Sequence, residues 1–180
     1  MRFLEQLYLA IDRFNNRLGR IVSWTAIIMV LVQFLIVVMR YIFNFGSQSM
    51  QDSVIYLHSI LFLLGASYTL LHEGHVRVDI FYREHSQFAK AMVDAIGALV
   101  LLLPVCIFIW WWSWPYVVQS WATHETSLQT SGLPFVYILK TLILAFASLM
   151  AVQGVSMFLR SLLTLTGHNT RQAREDGAHV

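Results

Sequence analysis

The chain is predicted to be an all-α membrane protein, with four transmembrane helices and an N-terminal amphipathic interfacial helix. Three observations carry that prediction. Hydrophobic residues make up 57% of the chain and charged residues only 12%, whereas about a quarter of the residues in soluble domains are charged. Ile21–Met39, Ser53–Leu71, Thr141–Leu159 and the longer Ala95–Thr123 contain no Asp, Glu, Lys or Arg. At about 1.5 Å per residue, each run crosses a hydrocarbon core about 30 Å thick, where the backbone must satisfy its own hydrogen bonds. The basic residues are also segregated. Arg2, Arg13, Arg17 and Arg20 precede the first run; Arg77, Arg83 and Lys90 lie between the second and third; Arg160, Arg171 and Arg174 follow the fourth. The other two connections have only Arg40 and Lys140 at their edges. The positive-inside rule then places both termini and the middle loop in the cytoplasm. No polar segment is large enough to bury its own core, so residues 1–180 are read as one membrane domain.

Residues 1–20 place Phe3, Leu4, Leu7, Tyr8, Ile11, Phe14 and Leu18 at helical spacing, with Glu5, Asp12, Arg13 and Asn16 largely opposite. This pattern suits a helix lying along the cytoplasmic membrane surface before the chain turns inward, or one packed on a partner subunit. The first span is expected over 21–43, and the second over 53–71. Asp79 is read as the cap of a short surface helix beginning near Ile80. The third span is expected over 91–114: Trp110, Trp111, Trp112 and Trp114, followed by Pro115, mark the level where indole rings favour headgroups and the helix leaves the core. A tilt, or a bend at Pro104, also fits so long a run. Ser131, Gly132 and Pro134 lead into the fourth span, over 135–159, and residues 160–180 form a cytoplasmic tail. The first apolar run begins only at Ile21 and lacks a small-x-small cleavage pattern, so it is expected to be retained rather than removed as a signal peptide.

Composition and motifs exclude several functions. Cys106 is the only cysteine and offers no disulfide or metal pattern, and a net charge of +2 does not call for nucleic acid. His72-Glu73-Gly74-His75 lacks the spacing of a zinc helix, so no metal and no cofactor is assigned. No nucleophile stands with a base and no carboxylates face each other, so the chain is not read as an enzyme. Seven histidines raise a haem b anchor subunit of a respiratory oxidoreductase as the alternative, but only His58 lies well inside a span. A self-contained four-helix exporter would need a carboxylate deep in the first helix, which has none.

Polar residues inside the spans are the natural place to look for contacts, because each is costly in lipid unless it faces protein or water. Gln33 and Arg40 share a face of the first helix; Gln153 and Gly154 sit in the cytoplasmic half of the fourth. Gly65, Ala66, Gly97 and Ala98 would allow helices to approach closely. By topology, Arg40 and Lys140 can meet Asp52 or Glu125, and Asp94 can meet Arg20, Arg77 or Lys90.

Arg40-Tyr41-Ile42-Phe43-Asn44 closing the first helix, His75-Val76-Arg77-Val78-Asp79 after the second and Gly132-Leu133-Pro134 before the fourth resemble the small membrane subunit of TRAP transporters, the DctQ type. The resemblance covers roughly residues 15 to 165. Gln51-Asp52 through Tyr56-Leu57-His58, with Lys140 and Gln153-Gly154, is more similar to the branch serving mannitol, chloroaromatic and oxo-acid uptake than to the sialic-acid branch. Where the family's better-known pattern has a Trp and paired acids before the second helix, this chain has Ser49, Met50, Gln51 and Asp52. The resemblance implies a large membrane subunit carrying the substrate and ion sites, a periplasmic solute-binding protein, and uptake of an organic acid or related solute driven by ion gradients. On that reading Arg40, Asp52, His75, Arg77, Asp79, Asp94 and Lys140 are the structural or partner-contact candidates. Gln48, Gln51, Trp121, His124 and Glu125 are the outer-loop docking candidates.

Overall fold

A polypeptide in lipid has no water to bond its backbone, and the chain meets that constraint with four long helices. The computed structural model describes residues 2–74, 86–129 and 131–167. The helices are α1 (Arg2–Ile42), α2 (Gln48–Leu71), α3 (Gln87–Ala122) and α4 (Val136–Leu165), each with an apolar stretch long enough to cross a membrane. No strand occurs among the described residues. The predicted cap at Asp79 and the short helix after it lie outside them.

α1 differs from its expected form. The surface helix and the first span are one unbroken helix of 41 residues, about 60 Å long; the chain does not turn between them. Nothing in residues 15–25 breaks a helix except Gly19, and Tyr68 of α2 packs directly where a side chain on Gly19 would stand. The residues facing the bundle also differ. Tyr8, Asp12, Asn15, Gly19 and Val22 are buried at i+3/i+4 spacing, whereas Phe3, Leu7 and Phe14 from the apolar stripe are exposed.

α3 likewise runs past the expected end at Trp114, through Pro115, to Ala122. Val117 and Ser120 are buried beyond that proline, so packing holds the helix together where one backbone donor is missing. The tryptophan cluster is therefore internal to α3, with Trp111 74% and Trp112 67% exposed. Pro104 follows a π-helical stretch, Gly97–Leu102, whose wider turn relieves the clash between a proline ring and the carbonyl four residues back. A second π stretch, Ile60–Leu64, interrupts α2. At its start α3 is capped by Ser86, whose hydroxyl accepts from the Ala89 N–H at 3.3 Å.

All four helices stop in the same way. Asn44, Glu73, His124 and Gly167 each lie one or two residues past a helix end with φ between 45° and 82°, the left-handed turn that lets trailing N–H groups fold back on the last carbonyls. Gly74 bonds to the Thr69 carbonyl at 2.9 Å and Glu125 to that of Ser120 at 3.0 Å. Close packing is concentrated on α4. A side chain on Gly154 would meet Leu102 at 2.9 Å, and Ala98 beside it is fully buried. A side chain on Gly65 or Gly97, by contrast, would meet nothing within 4 Å among the described residues.

Candidate functional site

Two polar layers tie the helices together, one at each end of the bundle. The segments Asp52–His72 and Leu133–Gln153 both run from the first layer to the second over twenty residues, about 30 Å and close to one hydrocarbon thickness.

The first layer joins the start of α2, the α3–α4 loop and the start of α4. Asp52 is 8% exposed; its Oδ1 accepts from Gln48 Nε2 at 3.0 Å and its Oδ2 from the Leu133 backbone N–H at 2.9 Å. Ser49 donates to the Ser131 carbonyl at 2.5 Å. Gly132 must be glycine for close approach, because its Cβ would lie 2.6 Å from Asp52 Oδ2 and against the Ser127 side chain. Beside this latch, Lys140 donates to Glu125 and sits 3.8 Å above the Tyr116 ring. Trp121 Nε1 donates to Thr141 Oγ1 at 2.9 Å, and Trp121 and His124 both pack edge-on to Tyr137.

The hydrogen bond from Lys140 holds the Glu125 carboxyl below its ordinary range, reinforced by Ser120. A carboxyl with a lowered folded value stabilises the fold at pH above its unfolded value, and the contribution is lost as pH falls through the folded one. Acidifying through the carboxylate range should therefore loosen the loop. The thermal midpoint of Glu125→Gln should fall less over that pH interval than that of the parent; equal slopes would remove this ion pair as a pH-dependent contact.

The second layer joins α1, α2 and α4. Asn15 Nδ2 donates to Gln153 Oε1 at 2.5 Å, and Gln153 Nε2 donates to Asp12 Oδ1 at 3.0 Å. Ser156 Oγ donates to the same carboxylate oxygen at 2.6 Å. Asp12, Asn15, Gln153 and Ser156 are all buried. At the rim, His72 Nε2 pairs with Asn16 Oδ1 at 3.2 Å, and Arg160 lies 3.6 Å from Glu73.

The sequence-predicted residues distribute unevenly over this frame. Asp52, Lys140, Gln48, Trp121 and Glu125 all make bonds within the chain. Lys140 meets one of its two expected partners, Glu125, while Asp52 is taken up by Gln48 and Leu133. Arg40, Gln51 and His124 are exposed, and Asp94 is half-buried in α3. His75, Arg77 and Asp79 lie outside the described residues. Of the described histidines, His58 stacks on Phe62, His72 meets Asn16 and His124 faces Tyr137. Sequence reasoning missed Asp12 and Asn15 as partners of Gln153, and Ser156 as a second donor to Asp12. The signal was present in polar and small residues recurring at 8, 12, 15 and 19 on α1 and at 153 and 156 on α4.

Both carboxylates buried among the described residues, Asp12 and Asp52, accept from neutral donors, and they stand in opposite layers. That arrangement fixes helices relative to one another. A family model described as "Tripartite ATP-independent periplasmic transporters, DctQ component" matches residues 9–164. No curated protein and no solved structure matches the chain.

Proposed function

The chain belongs to the DctQ component family of the tripartite ATP-independent periplasmic transporters, and we propose that it acts as the non-catalytic small membrane subunit that steadies the large one. In this reading it lies in the inner membrane with both termini cytoplasmic, as the Lys and Arg distribution supports. The large subunit carries the substrate and ion sites and takes up an organic acid or related solute along an ion gradient. The outer loops help a solute-binding protein dock, with Gln51, Trp121 and His124 as the exposed contacts.

The observation that carries the proposal is the outer face of α1. Val30, Gln33, Val37 and Arg40 are all exposed along one helix face, and neither Gln33 nor Arg40 has a polar partner among the described residues. Gln33 sits within an otherwise apolar run, where an unsatisfied amide facing lipid is costly. A protein surface bringing a hydrogen-bond partner to that level removes the cost. This face is therefore assigned to the large subunit.

Gln33→Leu and Arg40→Ala should each reduce co-purification of the large subunit in mild detergent. The double variant should also lower solute uptake by cells, with solute binding to the periplasmic protein unchanged. The stability of the isolated small subunit should be unaffected by Arg40→Ala and unchanged or raised by Gln33→Leu. A double variant that assembles and transports normally would remove the face from the interface.

A further inference from the structure

Three arginines on the first half of α1 are left unused by the fold. Arg13, Arg17 and Arg20 are exposed, and none has a partner among the described residues. With Trp24, also exposed, they follow one another at spacings of four, three and four residues, which puts all four side chains on one face of the helix. Asn15 and Val22 are buried. Arg17 stands two residues, about 200° round the helix, from Asn15, and Arg20 and Trp24 stand the same from Val22. The stripe therefore points straight away from the bundle. Neither acid of α1 shares it: Asp12 is buried in the second polar layer and Glu5 is half-buried.

Its level in the membrane selects what the stripe meets. Ile21–Met39 is the charge-free part of α1 and is about 28 Å long, so the end next to Arg20 lies at the edge of a hydrocarbon core about 30 Å thick. The second polar layer marks the same level independently, because Asp12 and Asn15, which form it, alternate with Arg13 and Arg17 along the helix. From Arg20 to Arg13 the helix rises about 10 Å, past a headgroup region about 5–7 Å deep. The long arginine stems reach back into it. Trp24 sits one turn inside the core edge, where indole rings gather, and Ile28 and Leu31 continue the same face, exposed and apolar. Apolar, aromatic and cationic groups thus succeed one another in the order of acyl chain, glycerol and phosphate. A water-soluble acidic partner would match the arginines alone.

We infer that the Arg13–Arg17–Arg20 face binds the phosphates of anionic phospholipids in the leaflet on the side of the chain termini. Zwitterionic lipid is the poorer ligand, because its own cationic head offsets the phosphate, whereas three guanidinium groups without a carboxylate carry excess positive charge. The inference needs α1 to cross the membrane but not the assignment of its other face to the large subunit. Ile28 and Leu31 stand two residues, about 200°, from Val30 and Gln33. The two faces are opposite, so either assignment can fail alone.

The test is native mass spectrometry of the purified subunit in mild detergent, titrated in parallel with dioleoyl-phosphatidylglycerol, dioleoyl-phosphatidylcholine and glycerol phosphate. The parent should retain phosphatidylglycerol in clear preference to phosphatidylcholine. Arg13→Gln, Arg17→Gln and Arg20→Gln should each weaken that retention about fivefold. The triple variant should bring it down to the phosphatidylcholine level with the thermal midpoint unchanged, since all three side chains are exposed. Lys90→Gln removes a positive charge on the same side of the membrane and should leave retention as in the parent. An equal loss in Lys90→Gln would reduce the effect to general attraction and overturn the inference. So would unchanged retention in the triple variant, or displacement of the lipid by glycerol phosphate at equal concentration, which would make the ligand a soluble phosphate ester. Loss of the large subunit from the triple variant with lipid retention intact would assign the stripe to a partner protein and overturn it too.

Discussion

Gln153→Leu is expected to destabilise the isolated subunit by about 2–3 kcal/mol, the largest loss for any single change in the second polar layer. Hydrogen bonds between membrane helices average only about 0.6 kcal/mol, because the broken partners usually find others. Gln153 is a stronger case because it both accepts from Asn15 and donates to Asp12. Removing it strands a buried amide and weakens the support of a buried carboxylate. Ser156→Ala should cost less, since Asp12 Oδ1 keeps the bond from Gln153. Asp12→Asn retains an acceptor oxygen and should be milder than Asp12→Leu. Reversible unfolding in mixed micelles would measure the series. The combination of Asp12→Leu with Gln153→Leu should cost clearly less than the two separately, because each alone leaves the other unsatisfied. Strict additivity would show that the residues act through packing rather than as one network.

This layer also marks the boundary of what the sequence could convey. The four spans were legible because lipid forces long uncharged runs on any crossing helix, and those runs are contiguous in the chain. Helix pairing is not contiguous: Asp12 and Gln153 are 141 residues apart. On α1, polar residues opposite an apolar stripe were read as facing water, the rule for a soluble or surface-lying helix. In a bundle surrounded by lipid that rule can fail, and Asp12 and Asn15 pack inward beside Tyr8 while Phe3, Leu7 and Phe14 stay outside. That the helix of α3 continues beyond the expected span was not legible for a related reason. Tryptophans and a proline signal an interface or a helix end locally, but Val117 and Ser120 pack beyond Pro115 and carry the helix eight residues past Trp114. In the first layer the residue types were legible and their partners only half so. Lys140 found Glu125, but nothing in the sequence pairs the Asp52 carboxylate with a backbone N–H at position 133.

That pairing leads to the second large effect. Asp52→Ala is expected to cost about 2 kcal/mol, since a buried charged acceptor is lost and the Leu133 N–H and Gln48 amide lose their partner. Asp52→Asn keeps one oxygen for two donors and should fall between. The local consequence is sharper than the global one. Leu133 lies in the α3–α4 loop, outside any helix ladder, so the Asp52 carboxylate is what protects its amide. Hydrogen exchange at residues 131–135 should accelerate in Asp52→Ala, while exchange in α4 from residue 144 onward stays unchanged. Gly132→Val attacks the same contact from the other side, because its first side-chain carbon would press on Asp52 Oδ2 and Ser127. The loop must then lift, at an overpacking cost of about 1–3 kcal/mol. If both changes act on one latch, Gly132→Val in the Asp52→Ala background should add little further exchange at residues 131–135. If it adds as much as it does in the parent, the loop is held by Ser49 and the Lys140–Glu125 pair instead. For the proposed docking of a solute-binding protein the latch would matter, because Gln51 precedes Asp52 on α2 and His124 opens the loop that Asp52 holds down. A carboxylate turned inward thus sets where the exposed Gln51 and His124 stand.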